Sequence, residues 1–410
     1  MAAAATITTP KRWLSIVGIG EDGAAGLTSV ARRLIEDAEL VVGGARHLAL
    51  AGVLVRAERL AWPSPMDAAF AEIVARRGRP VTVLASGDPF HFGVGKQLAG
   101  LVGADEFVCI PHASAFSLAA ARMGWALQDV ATVTLHGRAL ESFVRHLQPG
   151  ARILALSWDG ATPLKLAALL TERGLGQSRI TVLERMGGAR ERVRTAIASN
   201  FAFGDVDPLN TVAIEVVASA GSRIIPLSTG LDDALFEHDG QLTKREVRAI
   251  ALSSLAPRAG ELLWDIGLGA GSIAIEWLLR HPSLRAIGIE ERPERAARAA
   301  RNAAALGAPE LMIVQGRAPE ALAGLPAPDV IFLGGGLGDG VLDPAWAALK
   351  PGGRMVANAV TLEGEALLLA AFKRIGGELL RIDIARVEGV GALHGWRPAM
   401  PVTHWRATKP

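Results

Sequence analysis

Short apolar runs alternate with amphipathic or turn-rich stretches along most of the 410-residue chain. Residues 13–20 (WLSIVGIG) read as a buried strand that runs into a glycine turn. Thr28 or Ser29 can cap a helix over 30–38, because a hydroxyl there accepts one of the free N–H groups of the first turn. A strand over 40–42, a helix over 67–77 and a β-rich run over 80–86 follow. Residues 108–111, 152–156 and 180–183 read as further strands. A small-residue helix runs through Arg122, and another helix starts after Pro163. Residues 210–217 (NTVAIEVV) alternate apolar and polar side chains, the pattern of an edge strand. Strands alternating with helices predict an α/β fold with largely parallel sheets.

Residues 218–238 break this rhythm with small and turn-forming residues, and a domain boundary is placed near 221–231. Beyond it, Thr243 as N-cap and Glu246 three places later form the pattern of a capping box. The run 262–272 (LLWDIGLGAGS) ends an apolar strand in Asp265 and three alternate glycines, Gly267, Gly269 and Gly271, before a helix. Glycine is required where backbone takes positive φ or approaches a ligand closely. The spacing differs from the G-x-G-x-x-G dinucleotide fingerprint. Alternate glycines are instead the pattern of S-adenosylmethionine (SAM) methyltransferases of the Rossmann-like class. A second apolar strand, 284–289, ends in Glu290 about 20 residues past the turn, the spacing of a carboxylate that accepts hydrogen bonds from ribose hydroxyls. Helices over 293–306, 320–323 and 344–349 alternate with strands over 311–314, 329–333 and 354–357. Two last strands, 378–386 and 401–405, predict an antiparallel hairpin on the edge of a parallel sheet.

Composition changes this picture in few places. The chain is 50% hydrophobic and 20% charged, which suits a globular protein of two or three domains. A net charge of +2 and the lack of a Lys/Arg-rich run argue against a nucleic-acid partner. Arginine greatly outnumbers lysine; this suits bidentate binding of carboxylates or phosphates, and equally a composition bias without functional meaning. Cys109 is the single cysteine, so neither an internal disulfide nor a thiolate metal cluster is expected. The first twelve residues are too short and too weakly apolar for a signal peptide. No apolar stretch reaches the ~20 residues of a membrane span. A cytoplasmic location without a membrane partner is expected. His91, His112 and His136 each follow a strand, but they lack the i, i+4 spacing of a helical metal pair, and no metal is expected. Gly87-Asp88 places a carboxylate where open α/β sheets bind ligands, although glycine, aspartate and proline also make ordinary turns.

The first-half segments VGIGEDGAAGLT, GGARHL, ASGDPFHFGVG, PHASAFSLAAARMGWALQDV, LHGR, ERMGGARE and NTVAIEV together resemble the tetrapyrrole methylase family, most closely its precorrin C5-methylating branch. The resemblance implies a two-lobed class III methyltransferase fold with SAM in the cleft between the lobes. It places Gly87 and Asp88 beside SAM, and turns Gly18 and Gly20 toward the tetrapyrrole. Many relatives carry G-x-G-P-G-D in the first loop, whereas this chain reads Gly18-Ile19-Gly20-Glu21-Asp22-Gly23.

The second-half segments LTKREVRAIALSSL, LLWDIGLGAGSIAIEW, GIEERPERA, QGRAPEAL, FLGGG, LKPGGRMVANAVTLE and WRPAMPV resemble the precorrin decarboxylase/C15-methyltransferase family, with a class I SAM methyltransferase fold. That likeness implies SAM contacts at Thr243, Gly267, Leu268, Gly269, Ala270, Gly271, Glu290 and Ala318. Arg317 stands where relatives often carry Asp, which moves the expected adenine contact to the backbone at Gly316 and Ala318. Arg245 and Arg248 are candidates to clamp substrate carboxylates, or else lie on a solvated helix face.

The fused arrangement, 1–222 for C5 methylation and 223–410 for C15 methylation with loss of the C12 acetate carboxyl group, resembles the decarboxylating precorrin-6B C5,15-methyltransferases of cobalamin biosynthesis. The resemblance implies two SAM sites, precorrin-6B as substrate, precorrin-8X as product and a homo-oligomer. No metal or covalent nucleophile is implied. Three rival readings stand beside it: the same chemistry on a cobalt-containing precorrin, a non-catalytic tetrapyrrole scaffold, and a nucleic-acid methyltransferase. The last would call for an Asn-Pro-Pro-aromatic motif, which is absent.

Overall fold

The computed structural model describes residues 12–410. They divide into two compact units, one comprising residues 12–138 and 148–223, the other 139–147 and 224–410.

The first unit holds two five-stranded sheets. In the first, β1 (Leu14–Ile19), β2 (Leu40–Gly43), β3 (Glu58–Ala61), β4 (Val81–Ser86) and β5 (Phe107–Ile110) lie in the order β3-β2-β4-β1-β5, all parallel. β1 is buried along its whole length, as a parallel strand covered on both faces must be. Thr28 caps the helix Ser29–Glu36 by accepting the N–H of Ala31. The second sheet is built from β6 (Ala131–Thr134), β7 (Arg152–Leu156), β8 (Arg179–Glu184), β9 (Arg192–Ile197) and β10 (Asn210–Glu215), in the order β6-β7-β10-β8-β9. Here the edge reading of 210–217 fails. β10 is the central strand, antiparallel to β7 on one side and β8 on the other. Its polar residues are buried because they have partners: Asn210 accepts from the Ser157 hydroxyl at 2.5 Å and donates to the Asp159 and Asp207 carbonyls.

The second unit holds one seven-stranded sheet. β11 (Leu262–Ile266), β12 (Arg285–Glu290), β13 (Met312–Gln315), β14 (Val330–Leu333) and β15 (Arg354–Ala359) are parallel. β16 (Glu378–Ile382) and β19 (Val402–Thr408) close the order β13-β12-β11-β14-β15-β19-β16, with β19 antiparallel to both neighbours. Between β16 and β19 the chain makes a two-stranded ribbon, β17 (Ala385–Val390) with β18 (Leu393–Pro398). The single strand expected over 378–386 is therefore two, split at Asp383-Ile384. Trp264, Trp277 and Trp405 are fully buried in this unit, and the indole N–H groups of the last two donate to the Arg285 and Gly376 carbonyls.

The helix Arg245–Leu255 starts later than a Thr243 cap requires. Lys244 is its N-cap and no side chain closes it. Glu246 is drawn away by Arg386, so the capping box does not form. Arg248, expected on a solvated face or at the substrate, is fully buried. Its guanidinium meets Glu276 at 2.5 Å and Asp233 at 3.1 Å, and it lies 4.8 Å from the Phe236 ring. Glu276, equally buried, also accepts the N–H groups of Gly230 and Leu231. A buried carboxylate persists only when its lone pairs are filled in this way. This pair fastens the segment before the helix to the sheet domain and leaves Arg248 no substrate role.

Candidate functional site

In the second unit the carboxyl ends of β11, β12, β14 and β15 open onto a cavity of about 850 Å³. That volume lies in the range of small-molecule cofactor sites. Gly267 and Gly269 have φ of 77° and 58°, a left-handed conformation that costs an ordinary side chain roughly 1–2 kcal/mol. At Gly267 a Cβ would also sit 2.8 Å from the Gly335 nitrogen, so the glycines of FLGGG and the glycine turn are matched by a close backbone approach.

Glu290 ends β12 and is buried. One carboxylate oxygen accepts the Gly269 N–H at 2.8 Å and the other the Arg292 N–H at 3.0 Å. Two backbone donors fix the carboxylate, and its remaining lone pairs can face a pair of ribose hydroxyls. Asp265 lies under the turn and accepts the Ala274 N–H at 3.0 Å. Burial pushes its carboxyl up to about 7, and the neighbouring charge of Glu290 adds to the effect.

Thr243, Gly267, Leu268, Gly269, Ala270, Glu290 and Ala318 all line this cavity. Gly271 does not. It sits at φ 80° as N-cap of the helix Ser272–Arg280, 3.2 Å from Ala299 if given a Cβ, and shapes the turn. Arg245 is exposed and outside the lining, so neither proposed arginine clamp stands. The cations that do line the cavity are Lys244, Arg292, Arg295, Arg317 and Arg386. Arg295 is held by Asp239 at 2.8 Å and Gln241 at 2.6 Å. Sequence reasoning places Arg317 beside the expected adenine contact but misses the other four, because a cation on a helix, loop or ribbon has the same local pattern whether it faces water or a ligand.

The first unit has its own cavity, about 380 Å³, between its two sheets. Gly20, Gly87 and Asp88 line it. Asp88 also accepts the Phe90 N–H at 2.9 Å, so it both closes a turn and lines the cavity. Gly18 does not face the cavity. A Cβ there would lie 1.9 Å from the Gly87 carbonyl, so its role is to let β1 and the Gly87 turn meet. A polar cluster drawn from four of the first-half segments, whose juxtaposition no single segment reveals, lines the wall. Glu21 accepts from Arg46 and from Arg185 at 3.1 Å, and Ser86 lies 2.8 Å from both Arg46 and His47. Burial pushes His47 down to about 4, helped by Arg46, so its imidazole stays neutral at physiological pH. His91 stacks on Phe92 and meets Phe116 at a tilt, while His112 pairs with Asp22 at 3.2 Å. Among the described residues no group of His, Cys, Asp or Glu could hold a metal ion. No described helix is long and apolar enough to cross a membrane.

Two family models match the chain: Tetrapyrrole (Corrin/Porphyrin) Methylases over 14–201 and Precorrin methyltransferase domain over 234–409. The precorrin-6Y C(5,15)-methyltransferase [decarboxylating] of Sinorhizobium sp is 60% identical over 398 residues, 97% of this chain and 96% of that protein. The protein of the same name from Mycobacterium tuberculosis is 42% identical over 398 residues, 96% of this chain and 99% of that one. Among solved structures, the C-terminal domain of precorrin-6Y C5,15-methyltransferase from Rhodobacter capsulatus is 47% identical and covers 45% of this chain and 100% of its own, with a TM-score of 0.43.

Proposed function

The chain belongs to the decarboxylating precorrin-6Y C5,15-methyltransferases of cobalamin biosynthesis, and from that premise we propose that each unit carries one half of the reaction at its own SAM site. The first unit methylates C5. The second methylates C15 and releases the C12 acetate carboxyl group as CO2, so that metal-free precorrin-6B becomes precorrin-8X. The observation that carries the division is that each unit encloses a separate cavity on a strand-end glycine turn.

The residues of the second cavity fit SAM. The Glu290 carboxylate suits the ribose, the Gly316–Ala318 backbone the adenine, and the glycine turn before a helix N-terminus the anionic end of the amino acid. SAM supplies a methyl group on a sulfonium, already electrophilic. The protein therefore has no bond to activate; it aligns a nucleophilic carbon of the reduced macrocycle with that methyl group. Alignment of this kind contributes at most about 7–11 kcal/mol of barrier lowering. For loss of CO2, the conjugated macrocycle takes up the electron pair of the breaking C–C bond, a proton from water then replaces the carboxyl group on the side-chain carbon to leave a methyl group, and the chain's task is to orient the carboxylate in a dry place until CO2 has left. In the first unit we assign Gly87 and Asp88 to SAM, and Gly20 with the Glu21-paired Arg46 and Arg185 to the tetrapyrrole side, because all of them line the one cavity.

A homo-oligomer is part of the proposal. The β17–β18 ribbon exposes Val387, Val390, Leu393 and Trp396, the last two at 74% each, and clustered exposed apolar side chains of this kind mark interaction surfaces. A cytoplasmic location goes with the single unpaired Cys109. The test is incubation of the full chain with SAM and metal-free precorrin-6B, followed by mass spectrometry and CO2 detection. The expected product has gained two methyl groups and lost one carboxyl group. Turnover of the cobalt-containing substrate alone would overturn the metal-free assignment.

A further inference from the structure

Asn358 sits near the end of β15 and lines the second cavity. Its side-chain nitrogen is shielded from water and has no hydrogen-bond partner. The oxygen of the same amide is held from behind: His404, directly opposite on β19, lies with Nδ1 2.7 Å from Asn358 Oδ1. The other imidazole nitrogen, Nε2, lies 2.9 Å from the hydroxyl of Ser254. With Asn358 Oδ1 as acceptor, Nδ1 carries the proton and Nε2 accepts from Ser254. His404 is fully buried, and burial pushes it down to about 4, with Arg406 adding to the effect, so the relay is neutral at physiological pH. A buried polar group left without a partner is costly, and a fully fixed one in a cavity wall is a candidate ligand contact.

The position on the sheet indicates which ligand. Glu290, placed for the ribose, ends β12, and β15 is three strands away in the order β12-β11-β14-β15. At ~4.8 Å per strand the separation is about 14 Å, the far side of the cavity from the nucleoside. We propose that the Asn358 amide donates a hydrogen bond to a carboxylate of the tetrapyrrole substrate, with Ser254 and His404 as positioning residues that fix its orientation. The inference rests on reading this cavity as the site of methyl transfer and decarboxylation. A neutral amide suits the task. It directs the carboxylate but stabilises it less than a guanidinium would, so a carboxylate held this way keeps more of its tendency to lose CO2.

The test compares Asn358→Asp, Asn358→Ala and His404→Leu with wild type in the full-length protein. Asn358→Asp keeps the shape and an acceptor for His404 but replaces the cavity donor with an anion. The expected result is a KM for precorrin-6B raised roughly tenfold to hundredfold in CO2 release, with SAM affinity unchanged by calorimetry. Asn358→Ala should raise KM less than Asn358→Asp, because it removes a donor without adding repulsion. His404→Leu should raise KM while the first-unit methylation is unaffected. An Asn358→Asp protein with unchanged KM, or one that loses SAM affinity, would overturn the inference. Absence of CO2 release by the wild-type protein would instead overturn the parent reading, and this inference with it.

Discussion

The carboxylate of Glu290 accepts the backbone N–H of Gly269 at 2.8 Å, so the acid at the end of one strand holds the glycine turn at the end of its neighbour. The two features that marked a nucleoside site in the sequence are one hydrogen-bonded unit. Substituting the acid should therefore damage both the ribose contact and the turn.

Glu290→Ala should weaken SAM binding at the second site by roughly tenfold to hundredfold, the value of a lost hydrogen bond to a charged group. Glu290→Gln, which keeps an acceptor for Gly269, should lose less. Titration calorimetry of both variants checks the order, and equal losses would mean that the carboxylate charge rather than its hold on the turn sets affinity.

Arg248 and Glu276 are both fully buried and paired at 2.5 Å. Glu276→Gln or Arg248→Met should each destabilise the second unit by about 3–5 kcal/mol, because each strands a buried charge or its donors. The double replacement Arg248→Met with Glu276→Gln should recover much of the loss, because glutamine keeps an acceptor for the Gly230 and Leu231 N–H groups without a buried charge. Urea unfolding followed by the tryptophan fluorescence of this unit measures it. A single variant within about 1 kcal/mol of wild type would show that the pair is not a structural lock.

Asp265 gives a pH dependence of definite sign. Its folded pKa of about 7 lies above the unfolded value of 3.8, so the proton it holds favours the folded state fully below about pH 3.8. That contribution is lost as pH rises from there through 7. Asp265→Asn should thus gain stability relative to wild type between pH 5 and pH 8, on the order of a few kcal/mol. The buried His47 and His404, both pushed down to about 4, act in the opposite direction, losing stability as pH falls from 6.5 toward 4. They are common to both proteins and cancel in the difference. A constant difference across this range would mean that Asp265 is ionised in the folded state.

Strands such as β11 and β14 were legible in the sequence because parallel strands buried on both faces read as unbroken apolar runs. Glu290 was legible because its distance from the glycine turn is set by one βαβ unit. Features that depend on distant partners were not. β10 alternates like an edge strand, yet Ser157 and neighbouring backbone satisfy its polar end and let it sit centrally. Thr243 and Glu246 have the spacing of a capping box, but Arg386 competes for the glutamate from 140 residues away. Arg248 looked like a surface arginine until Glu276, 28 residues on, supplied its buried partner. The Ser254–His404–Asn358 relay joins two pairs separated by 150 and 46 positions, beyond the reach of any local motif.

The most direct measurement of the central claim is the product and SAM stoichiometry of Gly269→Arg in the full-length protein. A Cβ at Gly269 meets no atom closer than 3.9 Å, so the arginine can be accommodated at the cost of its positive φ while its side chain obstructs the second cavity. Two independent sites predict that SAM binding falls from two equivalents to one. They also predict a product that gains a single methyl group at C5 and retains its acetate carboxyl group. Continued CO2 release by this variant, or loss of C5 methylation in a folded protein, would contradict the assignment of one reaction to each unit.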